Sequence, residues 1–425
     1  MNTNILDFGA IGDGATLNTA AIQNAIDKCA QAGGGMVTIP AGVFKSGTIW
    51  LRSNVELRLE MGAELLASDN MDDYNDLNAY PQNTRIVKDE GWVGKHLIIA
   101  YNIENCAITG LGRINGNCHA FVDPFYGETI LANWGWKRGI AVLKDEEKMR
   151  PGQLICFVES RRIKVQDITI IDSPCWSLFL HGCEYVQVRS IRVNNPAWML
   201  NSDGIDIDAS RYVTVSDCII QTGDDAITLR ACETKLENKD AHCEYITVTN
   251  CVLSSSICAF RIGVGKGTIK HARISNITVN NSHTLAQICT AYSPTCRADI
   301  EDINFSNISA KSTDIFADAF AKNGAGIKNI TFENIRCDCT QENSVRVENG
   351  SIDNFVLRNI ELYYPETDNI ASDDLASSRS KCPIYINGAS NMTLDNVRVS
   401  GIKNITDADI IKANCPALIK KNCNF

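Results

Sequence analysis

No stretch of the 425 residues approaches the 18 or more consecutive apolar residues that a membrane-spanning helix needs, so the sequence predicts no membrane partner. The opening, MNTNILDFGAIGDG, has neither a basic n-region nor an apolar h-region, which predicts a cytoplasmic protein, or a secreted one if a leader has been removed upstream. Basic runs are missing too. With 40 Lys and Arg against 50 Asp and Glu the formal charge is −10, which argues against nucleic acid or an anionic surface as partner, and a long polyanionic substrate would need a local basic cleft. Without a secretion signal, and at this length, the 18 cysteines do not describe a disulfide scaffold; they are expected as reduced thiols filling core positions.

What is present is a globular composition, 44% hydrophobic and 21% charged, and a repeat. TAAIQNAIDKCAQAGGG sets Ile22, Ala25, Ile26 and Cys29 at helical spacing and stops at the glycines 33–35. MVTIPAGVFKSGTIWL and NVELRLEMGAELLAS then alternate like strands. Residues 71–150 read as an irregular, loop-rich excursion. Beyond residue 151 an apolar-x-apolar-x-x-apolar unit recurs, as IKVQDI at Ile163, VQVRSI at Val186, VTVSDC at Val213, ITVTNC at Ile246, ARISNI at Ala272, INFSNI at Ile303, ITFENI at Ile330, FVLRNI at Phe355 and MTLDNV at Met392.

A period of about 23 to 37 residues implies a solenoid. The copies lack the fixed leucines of leucine-rich repeats and the Ala-rich 3.6 period of helical repeats. Their Ile, Val, Thr and Asn alternate with period two, which predicts an all-β, single-domain right-handed parallel β-helix over 1–425 with an N-terminal capping helix. Ile168, Ile191, Cys218, Cys251, Ile277 and Ile308 should stack inside it, each with the preceding polar residue near a turn. Asn-x-Ser/Thr triplets at Asn276, Asn307, Asn329 and Asn391 read as turn or ladder positions rather than glycosylation acceptors, because they recur within the repeat.

Two acidic motifs interrupt the pattern, NSDGIDID from Asn201 and TGDDAI from Thr222. Asp203 and Asp224 lie 21 residues apart, close to one coil, so Asp203 and the Asp224/Asp225 pair should come from adjacent coils. Carboxylates crowded in this way push at least one pKa upward, giving an acid beside ionised partners, as glycosidic cleavage requires. Turn residues or a calcium site are the other reading of the same pattern. Trp134, Trp136, Trp176 and Trp198 are either sugar-stacking platforms or packing residues, and His181 either lines the cleft or is a hydrogen-bonded structural imidazole. Cys232, His242 and Cys243 match no zinc spacing, so neither metal nor cofactor is expected.

The segments ILDFGAIGDGATLNTAAIQNAI, NVELRLEMGAELLAS and DSPCWSLFL, together with NSDGID followed by TGDDAI, resemble glycoside hydrolase family 28, the polygalacturonase group. The resemblance implies a parallel β-helix and hydrolysis with inversion, Asp224 matching the general acid and Asp203 and Asp225 the pair that activates water. Asn201, Trp176, His181, Arg261 and Lys266 are the candidate substrate-binding residues. Where the family has Gly-His-Gly, this sequence reads Ser256, Ile257 and Cys258, and HTLAQICTAYSPTCR carries no Arg-x-Lys. Arg261 falls where a small hydroxyl residue is usual, there either to neutralise the aspartates or to meet the sugar; Arg230 is a weaker basic candidate. The insertion RACETKLENKDAHCEY resembles that of exo-acting relatives. The expected substrate is therefore an oligosaccharide or small glycoside attacked from one end. A β-helix lyase or intramolecular glycosyl transferase and a non-catalytic carbohydrate binder are the alternatives, and a homo-oligomer is compatible with all of them.

Overall fold

The computed structural model describes residues 1–84, 86–125, 140–144, 149–339, 344–367, 382–402 and 410–424. Trp134 and Trp136 lie outside them. Contacts divide the chain into two compact units, one of Met1–Phe125, Ile140–Asp224 and Lys235–Lys239, the other of Tyr126–Gly139, Asp225–Thr234 and Asp240–Phe425.

In the first unit the chain winds through three parallel strand files. One runs through Ile49–Trp50, Ile98–Tyr101, Ile155–Val158, Leu178–His181 and Ile205–Asp208, with Ile98, Ile155, Leu178 and Ile205 in register. A second aligns Cys106, Ile163, Val186 and Val213, and a third Ile114, Ile170, Val193 and Ile220. All of these apolar side chains are buried. Each such Ile or Val contributes about 1.5–3 kcal/mol by leaving water.

The helix Thr19–Gln31 buries Ile22, Ala25, Ile26 and Cys29, as the spacing predicts, and packs on the strands Gly35–Ile39 and Ile49–Trp50. Gln23 ties it down, accepting from the Trp50 N–H at 2.7 Å and donating to its carbonyl at 3.1 Å. The stretch expected to be irregular holds a complete coil, Ile98–Tyr101, Glu104–Gly110 and Arg113–Asn115. Before that coil, residues 71–84 and 86–96 fold over the outer face of the first file. There Tyr80 packs on Ile99, Cys156 and Val158, and its hydroxyl meets His96 Nε2 at 2.9 Å. His96 Nδ1 faces the Gln153 carbonyl at 2.7 Å, an arrangement suited to neutral imidazole; burial pushes the ring's pKa down to about 4.

The second unit is built of longer strands that bend at each corner, among them Val252–Gly265, Thr268–Cys289, Asp299–Phe320 and Val345–Thr367. Ala272, Ile303, Ile330, Phe355, Met392 and Leu418 succeed one another in register. Phe305 and Phe332 stack with centroids 4.5 Å apart and planes 2° from parallel.

The residues just before the predicted inward pile, Asp167, Ser190 and Asp217 in the first unit and Asn250, Asn276 and Asn307 in the second, all hold left-handed backbone with φ from 53° to 65°. Asn and Asp pay least for that conformation because their short side chains can hydrogen-bond locally. In the second unit the amides also bond from coil to coil. Asn307 donates to Asn276, Asn334 to Asn307, Asn359 to Asn334 and Asn396 to Asn359, at 2.9–3.4 Å. Asn329 belongs to a parallel ladder and accepts from Asn354 at 2.8 Å. Asn391 stands just before Met392 as Asn354 stands before Phe355, one coil on at the same register position, and pairs with Ala417. All 18 cysteines are free, and only Cys232, Cys415 and Cys423 are not buried. No helix among the described residues is long and apolar enough to cross a membrane.

Candidate active site

In the first unit the chain leaves Arg192–Asn194, loops through Pro196–Leu200 and enters Ile205–Asp208. Buried bonds shape this loop. Asn195 Nδ2 donates to the Ser202 carbonyl at 3.0 Å, Ser202 Oγ to the Met199 carbonyl at 2.7 Å, and the Gly223 N–H to Ser202 Oγ at 3.0 Å. Only glycine fits at 223, since a Cβ there would stand 2.2 Å from the Met199 carbonyl oxygen. The loop delivers Asn201 in left-handed conformation, φ 53°, with its N–H donating to Asp224 Oδ2 at 3.0 Å. Asp203 follows, buried, its carbonyl accepting from the Ser177 N–H at 2.8 Å.

Behind Asn201 stands Arg150, which sequence reasoning did not single out. Its Nη2 donates to Asn201 Oδ1 at 2.8 Å and to the Glu90 carbonyl at 3.0 Å, and its Nη1 bonds the Pro174 carbonyl. Burial lowers the Arg150 pKa, opposed by nearby groups that include Cys175, Glu90 and Asp224. Asn201 thus spends its side chain on Arg150 and its backbone on Asp224. Asn201 was legible because it heads the NSDGID motif; Arg150 lies in a weakly patterned stretch that gave no such signal.

His181 is buried and stacks on Phe179, centroids 5.2 Å apart, while half-buried Trp176 meets the same Phe179 edge-on at 5.2 Å and Trp92 at 5.9 Å. The insertion places Leu236 against Gly182, with Lys235 Nζ bonded to Thr84 Oγ1 and the Glu237 N–H to Glu159 Oε1, both at 2.7 Å. Trp198 borders His119.

In the second unit Asp225 opens the strand entry that leads to Ile227–Ala231. Its carboxylate accepts from the Cys258 N–H at 3.2 Å and is gripped by Arg261, whose Nη2 lies 3.1 Å from Oδ1 and whose Nε bonds Oδ2. Arg261 is buried, which alone would lower its pKa, but the Asp225 carboxylate holds it well above the ordinary value. Arg261 also bonds Gln287 and lies 5.2 Å from the Tyr292 ring centroid. Gln287 Nε2 donates to Asp318 Oδ2 at 2.9 Å, and Arg346 reaches the same oxygen at 3.0 Å.

Arg261, Gln287, Asp318 and Arg346 occupy one register position on successive coils, an alternating polar file on the outer side of the sheet. The sequence reading found Arg261 and missed the other three, although aligning AFRI, LAQI, FADA and SVRV would have put them in one column. Ser256, Ile257 and Cys258 are nearly covered. Lys266 is exposed on the turn after Val252–Gly265, its N–H bonded to the Ala231 carbonyl at 3.0 Å. Among the described residues, Cys232, His242 and Cys243 do not gather into a metal-binding group.

Residues 29–382 match the family model described as Glycosyl hydrolases family 28. The exo-poly-α-D-galacturonosidase of Dickeya chrysanthemi is 31% identical over 253 residues, which make up 54% of this chain and 42% of that protein. The chain therefore spans under half of that relative's length. An endo-polygalacturonase of Pectobacterium carotovorum is 23% identical over 366 residues, 79% of this chain and 87% of the other. The family 28 exopolygalacturonase structure from Yersinia enterocolitica covers the whole of this chain and 77% of its own, with a TM-score of 0.73 at 20% identity, a likeness of fold.

Proposed function

The chain belongs to glycosyl hydrolases family 28, and from that premise we propose that it removes sugars from one end of oligosaccharides or small glycosides, with inversion, using Asp203, Asp224 and Asp225. In this reading Asp224 protonates the leaving glycosidic oxygen as the bond to the anomeric carbon breaks. Asp203 and Asp225 orient a water on the opposite face and take its proton as it attacks. The observation that carries the assignment is the unequal treatment of two adjacent aspartates. Asp225 is clamped by a guanidinium fork and an N–H, which suits a group that must hold a water in one direction. Asp224 meets no such fork in its one described bond, in which Oδ2 accepts from the Asn201 N–H at 3.0 Å, an orienting contact that suits a carboxyl group placed to deliver a proton.

The relatives' names specify galacturonides. Ile257 and Cys258 beside Asp225, and Arg261 committed to Asp225 and Gln287, support a sugar in the cleavage subsite other than galacturonate. End-on attack is supported by the insertion that lies over Gly182 and Glu159.

The test is product analysis on a panel of aryl glycosides and pectin-derived oligosaccharides, with Asp224→Asn as control. Release of one monosaccharide type with inverted anomeric configuration, abolished in the variant, is the expected result. Mid-chain cleavage would refute the end-on mode, galacturonate release the substrate reading, and an unsaturated, ultraviolet-absorbing product the hydrolytic one.

A further inference from the structure

The first unit holds a second group of chemically reactive side chains that the proposed hydrolysis does not use. Cys118 and His119 sit in the short turn Cys118–Ala120 that follows the strand Arg113–Asn115; Asp172 follows the strand Thr169–Ile171 of the next coil. The Cys118 thiol, an imidazole nitrogen of His119 and a carboxylate oxygen of Asp172 all lie within 4.8 Å of one another. His119 Nε2 is 3.8 Å from Asp172 Oδ1, beyond a hydrogen bond and a few tenths of an ångström wider than the about 3.3–3.4 Å between nitrogen and oxygen ligands of a tetrahedral ion, a gap that a small side-chain rotation closes.

The backbone builds this convergence. Gly116 runs so close to the next coil that a Cβ would stand 2.7 Å from the Asp172 carbonyl oxygen, and the Cys118 N–H donates to that oxygen at 2.9 Å. Asn117 turns the chain with φ 53°, and its amide is fixed by the Ala67 carbonyl at 3.0 Å. Cys118 is fully buried beside Val122 and Met199, and Asp172 is half-buried, its pKa raised chiefly by burial. A buried thiol, a half-buried carboxylate and a solvent-facing imidazole thus bring one sulfur, one oxygen and one nitrogen donor within reach of a single ion.

We propose that Cys118, His119 and Asp172 form a binding site for a borderline divalent ion of the zinc class. One sulfur, one nitrogen and one oxygen ligand favour zinc over hard cations such as calcium or magnesium, which take oxygen only. Binding exchanges the thiol proton for the metal, and that proton leaves to solvent. The exposure of His119 leaves the fourth position to water. The site includes none of the hydrolytic residues and does not rest on their assignment. Sequence spacing concealed it because Asp172 joins the Cys-His pair only when two coils stack.

The test is titration of the full chain with cobalt(II) and then zinc(II), followed by X-ray absorption of the zinc-loaded protein. The expected result is one equivalent bound, with a sulfur ligand at about 2.3 Å and nitrogen or oxygen at about 2.0–2.2 Å. His119→Ala, a change at an exposed side chain that leaves the fold intact, should weaken binding at least tenfold, and Cys118→Ser should remove the sulfur shell; His242→Ala is the unaffected control. Failure of the wild type to retain an equivalent of either metal overturns the proposal. So does a sulfur-containing site that His119→Ala leaves unchanged, since the metal would then sit on other cysteines.

Discussion

Replacing Arg261 by Met leaves the Asp225 carboxylate in a pocket where the two side chains are only 10% and 4% exposed. Breaking a buried ion pair by removing one partner costs about 3–5 kcal/mol, because the remaining charge is uncompensated. Arg261→Lys keeps the charge but not the fork that meets both carboxylate oxygens, and should cost about 1–3 kcal/mol. Arg261→Met combined with Asp225→Asn removes both charges, and should be less destabilised than the sum of its single changes by about 1–3 kcal/mol. Equilibrium urea unfolding followed by circular dichroism measures these variants, Asp225→Asn and wild type, five proteins in all. A variant within about 0.5 kcal/mol of wild type, or a double variant as unstable as the summed singles, would refute the claim that Arg261 exists to hold Asp225.

Four further outcomes follow from the geometry. Asn201→Ala removes the Arg150 contact and puts an alanine in left-handed backbone, so urea unfolding should show a loss of about 1–3 kcal/mol, and kcat/KM of the still-folded variant should fall by roughly 10- to 100-fold. Gly223→Ala should lose both stability and activity, because its Cβ meets the Met199 carbonyl; thermal unfolding and turnover measured on the same sample check this. Phe332→Ala, in the second unit's aromatic stack, should cost about 3–5 kcal/mol in urea, whereas an effect below about 1 kcal/mol would mean the stack is not packed as described. His96 has a folded pKa of about 4 against 6.5 unfolded, so its contribution is complete above pH 6.5 and is lost as pH falls toward 4; His96→Gln should flatten that acid limb of the stability profile.

How far the sequence can be read depends on whether the information is local. Ile163, Val186 and Val213 announce one file through alternation alone, and the turn at Asn276 is legible because the residue type matches the backbone it adopts. The acidic motifs stand out for the same reason. Arg150 and the Gln287–Asp318–Arg346 file were not legible, since their partners come from other coils and nothing in their own neighbourhood distinguishes them from solvated residues. Left-handed Tyr185, Tyr212 and Tyr245 were missed because tyrosine carries no turn signal; the first two are held by stacking on each other, centroids 4.9 Å apart.

The asparagine ladder of the second unit makes position, rather than residue type, the measure of a mutation's cost. Asn334 accepts from Asn359 above and donates to Asn307 below, whereas Asn396 contributes a single rung, its bond to Asn359. Substitution at an internal rung opens two couplings, and substitution at a terminal rung opens one. Because each coil is bound chiefly to its neighbours, unfolding can advance as a front that pauses or accelerates at particular rungs. The ladder thereby sets where such a front would start, and protection against amide hydrogen exchange should climb in steps of one coil from the last rung inward.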